Sequence, residues 1–329
     1  TDRLNKGQQT ILFLNRRGYA GFVSCRSCGE VMKCPHCDVS LSEHKGGRLI
    51  CHYCGYTQPM PKLCPKCGSK YILGFKAGTQ QIEEKLKELY PGVRTLRMDA
   101  DTTRTKDSYE KILSSFANGE ADVLIGTQMI VKGHDFPKVT LVGILAADLS
   151  LNASDYRAGE RTFQLLTQAV GRAGRGVLPG EAVIQTYQPD HYAITCAAAQ
   201  DYESFYQEEI LYRELSGYPP VAHMLAVQIY GKEEENVKQL ALRLTDVVKS
   251  NMDFLSGKQK EQSNKKIQVL GPAPANISKI NDIYRYVFYV KHAEYDVLVE
   301  VKDRLEETLR QWQPRQMSIQ FDFDPVSVL

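Results

Sequence analysis

Two groups of residues in this 329-residue chain have the types and spacing to do chemistry. One is Gln168-Ala-Val-Gly-Arg-Ala-Gly-Arg175, at the end of a predicted helix that starts near Asp155. Arg172 and Arg175 would project from the same side of a helical turn, and glycines at 171 and 174 let a ligand backbone or phosphate come close. Paired, permanently charged guanidinium groups are what a transferring phosphoryl group needs from a protein. The competing reading is a basic helix C-terminus that complements the helix dipole and is ended by Gly176. The other group is eight of the nine cysteines, arranged as four C-x-x-C pairs at 25/28, 34/37, 51/54 and 64/67. Four such units without a secretory signal lead us to expect a reducing cytosol and metal in place of disulfides.

Two Zn(Cys)4 centres are the natural solution. Only five residues separate Cys28 from Cys34, too few for adjacent knuckles to close comfortably on one ion. The inner pairs enclose 13 residues, close to the spacing of a zinc ribbon. A nested arrangement follows: Cys25, Cys28, Cys64 and Cys67 on one Zn2+, and Cys34, Cys37, Cys51 and Cys54 on the other; a crossed pairing is the alternative. Gly29, Gly55 and Gly68 follow the second cysteine of their pairs, where a left-handed backbone is convenient, and Asp38 takes that place after Cys37. The seven basic and three acidic residues around the knuckles give an excess of +4. Each zinc with four thiolates carries about −2, which cancels it. A metal-stapled insertion too small for its own core therefore accounts for the ligands, and a docking role is an addition to it. Cys196, in Ile-Thr-Cys-Ala-Ala-Ala, reads as core packing.

The elements that position these groups alternate. Periodicity predicts strands over 11–14, 71–75, 93–98, 121–125, 139–146 and 182–187. Helices are predicted over 81–90, 106–118, 191–199 and 202–215, the first with Thr79 as N-cap and Ile82, Leu86 and Leu89 on one face. Alternation of this kind makes a parallel sheet, with ligands gathering at the C-terminal strand ends. Gly78-Thr79, Asp99 to Asp101, Gly126-Thr127-Gln128 and Asp148 fall there. Thr127 and Gln128 suit DNA phosphates, Asp135 suits a ribose hydroxyl or a facing lobe, and His134 reads as a loop residue without catalytic role. The basic turn Asn15-Arg-Arg-Gly-Tyr19 suits nucleotide or DNA and equally well plain solvent. Gly217-Tyr-Pro-Pro220 marks a boundary. Beyond it, strand 224–230, helix 234–251, strands 267–270 and 285–290, helix 294–311 and strand 317–322 predict a ferredoxin-like βαββαβ sandwich. Residues 271–280 are expected as a loop between the middle strands, and 256–266 as a mobile loop.

Hydrophobic content of 43% and charge of 24% are ordinary for a soluble globular protein. The net charge of +2 confines any nucleic-acid contact to local patches. No apolar run approaches the roughly 20 residues that span a bilayer as a helix. A first residue other than Met leads us to expect a piece of a longer protein.

Gly78-Thr79, the 126–137 segment and residues 160–175 resemble motifs IV, V and VI of superfamily-2 helicases, in that order. The four knuckles, together with residues 146–161, resemble the bacterial replication-restart branch of that superfamily, over essentially the whole chain. The resemblance implies an α/β RecA-like second lobe over 1–24 and 68–216, a zinc-binding insertion over 25–67 with nested pairing, and an α+β ferredoxin-like DNA- and partner-binding domain over 217–329. It implies that Arg172 and Arg175 contact the γ-phosphate of ATP held mainly by the other lobe, with Gln168 as a sensor. Gly133 and Asp135 would complete the nucleotide contacts. DNA would meet Gly78, Thr79, Thr127, Gln128 and Lys132, and, in the last domain, Lys279, Tyr284 and Arg285. One departure is Ala169, where many superfamily members carry arginine.

We find no G-x-x-x-x-G-K-[ST] loop and no Asp-Glu pair for Mg2+, so the expectation is that this chain does not hydrolyse ATP alone. The resemblance implies that the full-length protein is an ATP-dependent 3′→5′ DNA helicase that recognises stalled or branched forks and initiates primosome assembly. Its partners would be single-stranded and forked DNA, single-strand DNA-binding protein, and primosome and helicase-loading proteins, in the bacterial cytoplasm at the nucleoid. Two rival readings are a zinc-stapled binding scaffold without catalysis and a superfamily-2 RNA helicase.

Overall fold

The structure is a computed structural model that describes residues 1–14, 22–35, 40–44, 47–51, 55–74, 78–99, 102–103, 105–131, 135–153, 155–250 and 266–326. Its elements in order begin with α1 (Asp2–Asn5), β1 (Gln9–Leu14), β2 (Val23–Cys25), β3 (Ser42–His44), β4 (Arg48–Ile50), β5 (Thr57–Pro59) and β6 (Ile72–Gly74). Next come α2 (Thr79–Leu89), β7 (Thr95–Met98), α3 (Lys106–Ala117), β8 (Val123–Gly126), a 3-10 turn (Gln128–Val131), β9 (Val139–Leu145), α4 (Asp148–Leu151), α5 (Ala158–Val170) and β10 (Glu181–Ile184). After α6 (Tyr192–Ala199) and α7 (Tyr202–Ser216) follow β11 (His223–Gly231), α8 (Glu234–Ser250), β12 (Gln268–Ile280), β13 (Ile283–His292), α9 (Tyr295–Trp312) and β14 (Met317–Phe323). They form two compact units: residues 1–31, 63–153 and 157–207, and residues 32–62, 154–156 and 208–329.

The first unit is built on a five-stranded sheet in the order β10-β9-β1-β8-β7, parallel throughout. β8 is buried at every position, as expected of a strand covered on both faces. Ile11, Phe13, Leu124, Val142 and Ile144 from the strands share a core with Phe116 of α3 and Leu166 of α5. α3 is capped by Thr105, whose hydroxyl accepts from Ser108 N–H, and ends where Gly119 takes a φ of +81°.

Four expectations are corrected here. The 71–75 segment does not join the parallel sheet; β6 pairs antiparallel with β2, Cys25 facing Ile72, and so forms the root of the first knuckle. Gly78 is the N-cap of α2, and Thr79 is its first helical residue, with its hydroxyl turned to Asp99. Leu89 is 58% exposed, so the expected apolar face of that helix is only partly covered. The helix leading to the arginines also stops earlier than predicted, at Val170.

The second unit carries a four-stranded antiparallel sheet in the order β12-β13-β11-β14, the arrangement of a ferredoxin-like βαββαβ fold. Leu225, Val227 and Ile229 of β11 and Phe288 and Val290 of β13 share a core with Leu240 and Leu244 of α8 and Val301 and Leu305 of α9. The opposite face is buried too: Met224, Ala226, Val287 and Tyr289 are all closed to solvent. The three-stranded ribbon β3-β4-β5 belongs to this unit. Its Gly55 approaches so near that a Cβ there would lie 3.3 Å from Pro272 O, and Tyr289 feels the neighbouring charges of Asp155 and Cys51.

Residues 271–280 are strand, where a loop was expected. β12 continues to Ile280 and turns through Asn281 and Asp282, both left-handed. Its pairing with β13 breaks register between Leu270 and Ala273 and between Pro274 and Lys279. Prolines are tolerated at such breaks on an edge strand. The expected mobile loop, apart from Lys266, and the Asn15–Tyr19 turn lie outside the described residues.

Candidate functional site

β2, β6 and the turns around them bring Cys25, Cys28, Cys64 and Cys67 together, with all four sulfurs within 4.8 Å of one another. Cys25 Sγ lies 3.6 Å from Cys67 Sγ, and Cys28 Sγ lies 3.7 Å from Cys64 Sγ. Tetrahedral zinc with Zn–S bonds of about 2.3 Å separates its sulfurs by about 3.8 Å, so the thiols fit the ion. The knuckles share one backbone design. Cys25 N–H donates to Glu30 O and Gly29 N–H to Cys25 O; Cys64 repeats this with Ser69 and Gly68, and Cys51 with Tyr56 and Gly55. The three glycines have φ of +77°, +77° and +72° (Gly29, Gly55, Gly68), a conformation that side chains disfavour. Cys34 and Cys51 of the inner set are buried. Cys37, Asp38 and Cys54 lie outside the described residues.

Burial works against the Cys25 thiolate, but the amides of Ser27 and Cys28 and the thiol of Cys67 pull it down to about 6. For Cys28, the Glu30 amide favours the thiolate, yet burial and the three surrounding sulfurs push it up to about 12. Four thiols this close do not all ionise without a cation to neutralise them, which is the chemistry a four-thiolate metal centre supplies.

The arginine stretch leaves the end of α5 as a turn. Gly171 caps the helix, and Gly174, at φ +71°, donates to Val139 O at 3.1 Å. A Cβ on Gly174 would fall 2.4 Å from Gly180 N, and one on Gly176 would fall 2.3 Å from Pro137 O. These glycines let the turn lie against the chain that enters β9. There Asp135 meets both guanidiniums: Arg175 donates to its Oδ1, and Arg172 approaches the same oxygen at 3.9 Å. Arg175 also donates through Nε to Gly171 O at 2.7 Å. The Arg172 side chain is 12% exposed and that of Asp135 67%. Burial and the neighbouring Arg175 charge lower the Arg172 pKa, and Asp135 opposes them. Gln168 is exposed on the last turn of α5, and Ala169 is fully buried in the core, where an arginine would have no room.

The remaining sequence candidates lie elsewhere. Thr79, Asp99 and Thr127 sit where α2 begins and where β7 and β8 end, whereas the arginine turn bonds to the start of β9. The Thr79 hydroxyl donates to Asp99 at 2.5 Å and is committed internally, while Gly78 N–H reaches Gln81 Oε1 at 3.4 Å. Thr127 N–H donates to Met98 O at 3.3 Å and opens the 3-10 turn that begins at Gln128. Lys132, Gly133 and His134 lie outside the described residues. In the second unit, Lys279 pairs with Asp282 at 2.8 Å and lies over the Tyr284 ring at 4.8 Å, and Arg285 lies over Tyr230 at 5.7 Å. Asp148 is buried and accepts from Thr186 Oγ1 and Tyr187 N–H, a structural task. Tyr187, not singled out in the sequence, donates its hydroxyl to Arg26 O at 3.2 Å and braces the first knuckle. No local pattern announces such a long-range contact.

A parallel lobe that ends in an arginine turn, followed by a mixed α+β domain, is the build of a helicase C-terminal lobe with appended modules. Residues 63–177 match the helicase conserved C-terminal domain, residues 34–59 the PriA DNA helicase Cys-rich region domain, and residues 214–326 the primosomal protein N C-terminal domain. The chain belongs to the PriA family of replication restart proteins. It is 43% identical to replication restart protein PriA of Bacillus subtilis over 100% of its own length and 40% of that protein's. For the Synechocystis relative the figures are 41%, 98% and 38%, and for that of Haemophilus influenzae 35%, 95% and 41%. The chain thus spans some two fifths of the curated relatives it matches. Among the described residues no helix is long and apolar enough to cross a membrane.

Proposed function

We propose that this chain supplies the arginine-bearing half of an ATP-driven DNA motor. ATP and Mg2+ are held by a second lobe that carries the phosphate loop. Arg172 and Arg175 reach across the cleft to the γ-phosphate, with Gln168, Gly133 and Asp135 as the further candidate contacts to the nucleotide. The observation that carries this reading is the convergence of both guanidiniums on one carboxylate oxygen, which marks a place where an anion is held. Opening and closing of the cleft then moves the lobes 3′→5′ along DNA that touches the strand-end residues around Gly78, Thr79, Thr127, Gln128 and Lys132.

The same reading gives residues 1–24 and 68–216 the motor lobe, 25–67 a structural insertion with two Zn2+, and 217–329 a platform for forked DNA, single-strand DNA-binding protein and primosome proteins. Lys279, Tyr284 and Arg285 are its candidate contacts. The test joins this chain to its upstream lobe and measures ATP turnover on forked DNA, single-stranded DNA and RNA. DNA-stimulated turnover that falls about 10³-fold or more with Arg172→Ala is expected. Turnover that survives the substitution removes the arginines from the active site and leaves the zinc-stapled scaffold; stimulation by RNA alone overturns the DNA assignment.

A further inference from the structure

Arg172 is largely covered and Arg175 is exposed, yet neither guanidinium is without a counter-charge. A carboxylate of the same lobe holds them. We infer that Asp135 is a positioning residue that doubles as a built-in counter-anion: it aligns Arg172 and Arg175 in advance and must be displaced before an incoming phosphate takes its place. The inference deepens the proposed arginine site and rests on it.

Three features support it. One carboxylate oxygen serves both guanidiniums, so it stands where a phosphate oxygen would bridge them. The approach is also fixed by backbone on both sides. Gly174 N–H bonds Val139 O, and Gly176 lies against Pro137, so Asp135 enters beside the turn on a clamped segment. Finally, the Asp135 side chain is 67% exposed while Arg172 is 12% exposed. The carboxylate is thus the outward partner, with water ready to receive it, and Arg175 keeps its bond to Gly171 O when Asp135 leaves. Two like charges held side by side and partly desolvated repel each other, which the Asp135 charge relieves. An incoming phosphate does the same with more charge.

The test needs only this chain and inorganic pyrophosphate, titrated calorimetrically at low ionic strength. Arg172→Ala and Arg175→Ala are compared with Asp135→Asn, which keeps the shape and removes the charge, and with Asp135→Ala. Each arginine variant is expected to weaken binding strongly. Asp135→Asn is expected to tighten it about two- to fivefold, because the competing carboxylate is largely exposed, with the gain shrinking as salt is added. Asp135→Ala separates the two roles: it also removes the competitor but loses the hydrogen-bonding shape, so it should gain less than Asp135→Asn. Unchanged or weaker binding by Asp135→Asn, with the arginine variants still defective, overturns the counter-anion and leaves the arginine site standing. Arginine variants that bind as well as the parent overturn the site itself.

Discussion

Gly29 lies so close to Tyr187 that a Cβ at position 29 would fall 2.3 Å from the tyrosine Cβ and 2.6 Å from its Cγ. The same glycine holds a φ of +77°. Gly29→Ala therefore carries two penalties, about 1–2 kcal/mol for the left-handed backbone and about 1–3 kcal/mol for the overlap. Chemical denaturation should show the sum. Placing Gly29→Ala in a Tyr187→Gly background, which removes the Cβ as well as the ring, should relieve the overlap and keep the backbone cost. Additive losses would mean that the knuckle does not bear on Tyr187.

Metal removal should act on both units, because the cysteine knuckles are divided between them. Metal analysis is expected to return about two zinc per chain, and Cys64→Ser should reduce it to about one. The inner ribbon lies over the sheet face that holds Tyr289, so chelation should raise amide exchange in β12 and β13 as well as around Cys25. Acid should release the metal in the same way, since each ligand binds as thiolate. Unaltered exchange in β13 after chelation would show that the ribbon holds its place without metal.

Much of this was legible because spacing constrains it. The five-residue gap between Cys28 and Cys34 separates the outer from the inner cysteines, and the outer four do meet. The alternation of apolar strands with amphipathic helices shows through in β1, β7, β8 and β9. What was illegible depends on distant partners. Nothing local tells that β6 would pair with β2, or that residues 32–62 group with the last domain. Pro272 and Pro274 read as loop, and only the sheet edge makes them strand. At the arginines, sequence fixes the residue types but not their counter-ion, because Asp135 lies 37 positions before Arg172.

Arg213 is buried at 2% exposure, with Glu209 at 7%. Its Nε donates to Glu209 Oε1 at 2.7 Å, Nη1 donates to Pro219 O at 2.8 Å, and the guanidinium lies over the Tyr156 ring at 4.8 Å. Removing only the carboxylate leaves the positive charge inside. Glu209→Ala should cost about 3 kcal/mol in urea unfolding, and replacing both residues by methionine should recover much of it. Equal losses for the single and double changes would mean that shape, not charge, matters here.

The start of β7 is tied to that of β8 by Arg94 and Asp122: the guanidinium donates to both carboxylate oxygens, at 2.5 and 3.2 Å, and Arg94 N–H adds a third bond at 3.0 Å. The Arg94 hydrogen bond holds the Asp122 carboxyl below its usual range, and burial opposes it. For Glu83, burial works against the charge, but Lys87, Thr95 and Arg97 together keep its pKa low as well. A carboxyl whose folded pKa lies below its unfolded one adds stability that is complete above the unfolded value and lost as pH falls through the folded one. The first unit should therefore weaken as pH drops below about 4.5, the ordinary glutamate value. Since the Arg94 side chain is more than half exposed, the pair's own share is under about 1 kcal/mol. Asp122→Asn should lower stability at pH 7 by that amount and flatten the acid limb slightly. A variant as stable as the parent at pH 7, with the same acid slope, would show that the pair contributes nothing.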